Sequence, residues 1–121
     1  MTVKIYLRAI EKDGKNYLAL FDSTGNVDIN NLITDALPGA TIIWKLDCCS
    51  GIKSITRIYS KEKAHPVFKS EPKKRLLCKE FTLQLEEGVA GKEKYTIECI
   101  LRDNKELIID PYLRIPPPPS I

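Results

Sequence analysis

Four cysteines, Cys48, Cys49, Cys78 and Cys99, and a single histidine, His65, are the residues of this chain best suited to metal, redox or nucleophilic chemistry. Two thiolates share one zinc ion when a short gap lets them converge from a knuckle. Cys48 and Cys49 are adjacent, so on an extended chain they are expected to point to opposite faces. The four thiols are therefore read as reduced and mostly structural, because free cysteine is among the most buried residue types. A metal or redox protein using Cys48, Cys49 and Cys99 is the remote alternative, which no spacing supports. Cysteine–histidine catalysis needs an imidazole beside a thiol, whereas His65 precedes Pro66 in a charged stretch and is expected to be exposed. No glycine-rich phosphate loop is present, and the acidic pair Glu86 and Glu87 falls in a turn-like, solvated stretch. The expectation is a chain that is not an enzyme, with no catalytic residue, no metal ligands and no cofactor.

Charge is the informative asymmetry. Residues 53–79 hold nine Lys and Arg residues against Glu62 and Glu71, which is 9 − 2 = +7, so the remainder of a chain of net charge +3 carries −4. Clustered cations raise the local potential by several kT and attract acidic surfaces. The candidate binding residues are Lys53, Arg57, Lys61, Lys73, Lys74 and Arg75. A protein partner is the leading expectation, and an anionic ligand or nucleic acid the alternative. Sequence-tolerant nucleic-acid binding uses exposed aromatics on which bases stack, and the basic segment offers only Tyr59 and Phe68, the second of which can equally anchor the loop. The proline-rich end, Pro116 to Pro119, is a stiff segment of the kind that aromatic grooves recognise.

These residues need a scaffold, and the hydropathy pattern describes one. Val3, Ile5, Leu7 and Ala9 alternate with Lys4, Tyr6 and Arg8, the period of a half-buried strand. Asp13-Gly14 then favours a hairpin turn before the apolar run Tyr17 to Phe21. Val27 to Leu37 reads as mostly extended. Pro38-Gly39 feeds a strand, Ala40 to Leu46, that puts Ile42, Trp44 and Leu46 on one face. Ile52, Ile55, Ile58 and Tyr59 have nominally helical spacing, but Ile, Thr and Tyr favour strands, so a bulged strand is predicted. Ser60 to Lys79 reads as a long basic surface loop. Phe81 to Leu85 and Tyr95 to Leu101 alternate cleanly, Glu86 to Lys94 reads as a charged turn, and Glu106 to Ile109 and Tyr112 to Ile115 close the series. Short strands at such intervals make an all-β sandwich or barrel.

The order of these signals resembles the cupredoxin-like fold. The residues that carry the resemblance are Pro38-Gly39-Ala40-Thr41-Ile42-Ile43-Trp44 and, later, Tyr95-Thr96-Ile97-Glu98-Cys99, and it spans roughly residues 37–115. The family's copper centre implies two imidazoles, a thiolate and an axial thioether. This chain has one histidine and one methionine, Met1, and Cys99 is followed by Ile100-Leu101-Arg102-Asp103, so the copper site is not expected here.

The fold expected is an all-β, single-domain antiparallel sandwich, cupredoxin-like or immunoglobulin-like, over residues 1–115, followed by a proline-rich tail at 116–121. Charges inside the first apolar run argue against a secretory signal, and no run approaches the roughly 20 apolar residues of a membrane span. A cytoplasmic location and no membrane partner are expected.

Overall fold

The computed structural model describes residues 1–75 and 79–118; Cys78 and the end of the tail, Pro119 to Ile121, lie outside them. The chain opens with a hairpin of β1 (Thr2–Lys12) and β2 (Lys15–Asp22). Asp13 and Gly14 take φ values of 52° and 76°, the paired positive angles of a two-residue turn whose twist matches the strands. Two short strands, β3 (Val27–Ile29) and β4 (Ile33–Asp35), follow, and β5 (Thr41–Leu46) comes after the Pro38-Gly39 turn. Gly39 has φ 77°, and a Cβ there would come within 3.1 Å of Glu87, so the turn has little room for another residue. The rest of the chain forms β6 (Ile52–Ser60), β7 (Lys73–Lys74), β8 (Phe81–Gln84), β9 (Gly91–Leu101), β10 (Glu106–Ile109) and β11 (Tyr112–Ile115).

These strands make a β-sandwich of two sheets, neither closed into a barrel. One sheet has the order β3-β2-β1-β5-β8-β7; the other runs β10-β9-β11-β4, with β6 on the remaining edge of β9. Both sheets are mixed rather than wholly antiparallel, because β5 lies parallel to β1 and β4 parallel to β11. The physical reason is the crossover: after β3 the chain passes to the second sheet as β4, and it returns to the first in the direction of β1. Strands β10 and β11 continue one register along β9, from Glu106 opposite Ile100 to Ile115 opposite Gly91. The interruption falls at Pro111, which has no N–H to give, although its carbonyl still accepts from Tyr95 N at 3.0 Å.

Alternation fills the space between the sheets. Val3, Ile5, Leu7, Leu18, Leu20, Ile42, Trp44 and Leu83 point inward from the first sheet, and Ile55, Ile58, Tyr95, Ile97, Cys99, Leu113 and Ile115 from the second. Ile52, Ile55 and Ile58 keep a spacing of three because β6 is bulged twice, between Ile52 and Ser54 and between Ile55 and Arg57. Each bulge adds a residue without a partner and restores the inward phase one position late. At the centre, Trp44 and Tyr95 meet edge to face at 5.4 Å, and the indole N–H donates to the Tyr95 hydroxyl at 3.1 Å. Phe68 packs on the same tyrosine, with ring centroids 5.8 Å apart. Among the described residues, no helix is long and apolar enough to cross a membrane.

The strand pair β4 and β11 is fastened by a fork in which Arg114 donates through Nε and Nη2 to Asp35 at 2.6 and 2.9 Å. That hydrogen bonding, and then the guanidinium charge, hold the Asp35 carboxyl below its ordinary range. A depressed carboxylate contributes stability above its unfolded pKa, roughly 3.9, and loses it as pH falls through the lower folded value. Both side chains are exposed to solvent, so the contribution is small. The expected outcome is that β4 amides lose hydrogen-exchange protection on acidification below pH ~4, and that Arg114→Ala abolishes this step. The central pair sets a larger scale: Trp44→Ala is expected to cost about 3–5 kcal/mol in denaturant unfolding. Tyr95→Phe, which leaves the indole N–H without its acceptor, is expected to cost about 1–3 kcal/mol.

Candidate functional site

The basic segment starts on an edge of one sheet and ends on an edge of the other. Among the described residues, strand β6 pairs only with β9, and β7 only with β8, so both expose one side of their backbones. A groove of about 480 Å³ separates them, bounded by Thr56 to Ser60 on one side and by Glu71, Pro72, Lys74 and Phe81 on the other. The second bulge of β6 leaves Thr56 and Arg57 both exposed while Ile58 returns to the core. The Arg57 guanidinium then lies 4.2 Å from the centre of the Tyr59 ring. A cation over an aromatic face is attracted by the ring quadrupole, which orients Arg57 without neutralising it.

Of the six residues singled out by sequence, the structure brings Arg57 and Lys74 to this groove. Lys73, the neighbour of Lys74 in β7, lines a separate shallow depression with Thr41, Ser70 and Gln84, as alternation along a strand requires. Lys53 lies at the far end of β6 and donates to Asn104 at 3.2 Å. Lys61 reaches Asp110 at 3.9 Å. Arg75 pairs with Glu80 at 3.0 Å, and the same carboxylate holds Lys45 at 3.2 Å. Among the described residues, Arg57, Lys73 and Lys74 have no carboxylate within ion-pair distance. The basic segment is thus one charged groove with outlying cations, three of them already partnered, rather than a uniform patch.

The residue that sequence reading missed is Glu93. Strand β9 begins at Gly91, four residues before the predicted start, and places Glu93 at 0% exposure. Its Oε1 accepts from the backbone N–H groups of Val67 and Phe68 at 2.8 and 2.9 Å. Its Oε2 takes the Ser60 hydroxyl and lies 3.3 Å from His65 Nδ1. Burying a carboxylate is costly unless it is paired and hydrogen-bonded, and these partners supply that compensation. The signal was present in the sequence: Glu93 shares the inward parity of Tyr95, Ile97 and Cys99.

His65 is accordingly half-buried rather than exposed, wedged between Glu93 and Glu71, whose Oε1 is 3.4 Å from Nε2. Glu71 also accepts from Ser60 N at 2.9 Å. A hydroxyl, an imidazole and two carboxylates therefore lie together, but Ser60 donates to Glu93 and not to the imidazole. The network clamps the loop from Ser60 to Pro72 onto the sandwich, burying Val67, Phe68 and Pro72.

The cysteines divide. Cys99 is buried, which pushes its thiol up to about 11, and it is a core residue of β9. Cys48 and Cys49 do not point to opposite faces as an extended chain would require. They occupy a turn in which Cys49 has φ 56°, and their sulfurs face each other at 3.7 Å. Among the described residues, no group of three or more His, Cys, Asp or Glu is arranged to hold a metal ion. No family model matches the chain, and a comparison with curated proteins returns no match.

Removing the buried carboxylate separates the clamp from the rest of the fold. Glu93→Ala is expected to leave the Val67 and Phe68 amides unsatisfied and to cost about 3–5 kcal/mol, on the scale of a broken buried pair. Hydrogen exchange at Val67 and Phe68 is expected to rise first, before exchange in β1 and β2.

Proposed function

We propose that this chain is a non-catalytic protein-interaction module whose β6–β7 groove receives an acidic, extended segment of a partner protein. The observation that supports the reading is the pairing of Arg57 and Lys74, without neutralising partners among the described residues, across a groove that also has an apolar lining. Ile58, Pro72 and Phe81 are buried and contribute only their edges to the lining beside the two cations. Such a site suits a peptide that alternates carboxylates with aliphatic side chains. Arg57 contributes a planar fork matched to a carboxylate, and Lys74 a mobile point charge. The scaffold is proposed to be cupredoxin-like, on the ground that the two motifs carrying the resemblance supply Trp44 and Tyr95. A cytoplasmic setting fits the free thiols Cys48, Cys49 and Cys99.

Nucleic acid is the weaker reading because the aromatics of the basic segment are committed elsewhere. Phe68 is 1% exposed, and Tyr59 is half-buried with Arg57 on its ring. Neither offers a free face for a base.

The test is binding of a fluorescent peptide of alternating Glu and Val against a single-stranded oligonucleotide of equal charge. The peptide is expected to bind more tightly, and Arg57→Glu or Lys74→Glu to weaken it by roughly tenfold or more, the equivalent of about 1.4 kcal/mol. Lys15→Glu, on the distant first hairpin, is expected to leave it unchanged. Unaltered peptide binding by both groove variants, or preference for the oligonucleotide, would overturn the reading.

A further inference from the structure

The turn between β5 and β6 carries a second site, independent of the basic groove. We propose that Cys48 and Cys49 form a bidentate dithiol site for a soft, thiophilic centre that brings its own remaining ligand, the chemical type being a trivalent organoarsenical. The pair is held in place by contacts that do not involve the sulfurs. Arg8 donates to the Cys48 carbonyl at 3.3 Å and pairs with Asp47 at 2.8 Å. Asp47 N donates to Leu7 O at 3.0 Å, and Ala9 N to Ser50 O at 2.7 Å, so the turn is tied to β1 at both ends. Ser50, buried, accepts from Ile52 N through its hydroxyl at 3.2 Å. Both cysteines are exposed within this frame.

The sulfur separation is compatible with chelation. Two sulfurs bound to one atom must stand within contact distance of each other, and the sulfurs here are at 3.7 Å. The bite of a chelate is therefore present before any ligand arrives. A structural zinc ion needs four ligands, and among the described residues no third or fourth donor converges on the pair. The ligand must satisfy its remaining valence itself, as an arsenic atom bearing an organic group does.

The reaction is a condensation without electron transfer. An organoarsonous acid, RAs(OH)2, meets two thiols; two As–O and two S–H bonds break, two As–S bonds form, and two waters leave. Arsenic remains trivalent. The hydrogen bond with Cys49, and then that residue's charge, hold the Cys48 thiol above its ordinary value. Each thiol proton departs with an arsenic-bound hydroxide as water. Cys99 does not compete, because it lies in the core.

The probe is phenylarsine oxide, added in equimolar amount to the reduced, full-length chain in a large excess of a monothiol, with intact mass as the readout. The wild-type chain is expected to retain one phenylarsenic group and to release it to 2,3-dimercaptopropanol. Cys48→Ser and Cys49→Ser are each expected to lower retention on the order of a hundredfold, the loss of an intramolecular second contact, while Cys78→Ser retains the group. Circular dichroism checks that the serine variants keep the strand spectrum. Loss of the arsenical from the wild type to the monothiol, wild-type retention by either folded Cys48 or Cys49 variant, or loss on Cys78→Ser would overturn the proposal. None of these outcomes bears on the basic groove, which the turn does not line.

Discussion

The contact between Trp44 and Tyr95 is the constraint on which the two sheets depend. Each ring belongs to a different sheet and each brings a polar atom into a dry interior, where an unpaired N–H or O–H costs about 1–3 kcal/mol. The indole donates and the phenol accepts, and among the described residues no buried side-chain polar atom is left without a partner. Burial drives the Tyr95 phenol well above its ordinary pKa, so it remains a neutral hydroxyl over the physiological range. One hydrogen bond thus sets the relative position of β5 and β9 at the point of greatest buried area.

Strand β9 extends this constraint along its length. Its inward positions run Glu93, Tyr95, Ile97, Cys99 and Leu101, so the residue two places before the central tyrosine must also face inward. That residue is a carboxylate, and the fold accommodates it by curling the loop after β6 around it. The same geometry that locks the sheets therefore orders the loop that would otherwise be a solvated basic segment. Phe68 completes the link, because the loop's aromatic packs on the Tyr95 ring.

Much of the architecture was readable from local pattern. The Asp13-Gly14 hairpin, the inward face of β1, the Pro38-Gly39 turn feeding the Trp44 strand and the bulged character of β6 all follow from residue type and period. What period alone does not carry is direction and distance. Parallel pairing of β1 with β5 arises from a crossover between sheets, which no local window contains. Adjacent cysteines point to opposite faces only on an extended chain, and the positive φ at Cys49, within a turn, reverses that consequence for their sulfurs. Glu93 was assigned to a turn because charge and two glycines suggested one, although its parity with Tyr95 pointed inward.

The candidate groove follows from how the two sheet edges are finished. An exposed edge invites unwanted pairing, and proteins blunt it with charge, bulges and short strands. Here β6 is bulged twice and carries Lys53 and Arg57, while β7 is only two residues long and entirely lysine. These devices discourage extension of the sheet, yet they also leave two cations facing a gap with apolar lining. The bulge that interrupts pairing is the one that turns Arg57 outward. Protection of the edge and construction of a charged groove are thus the same structural act, which is why recognition at this edge is expected to run through side chains rather than through an added strand.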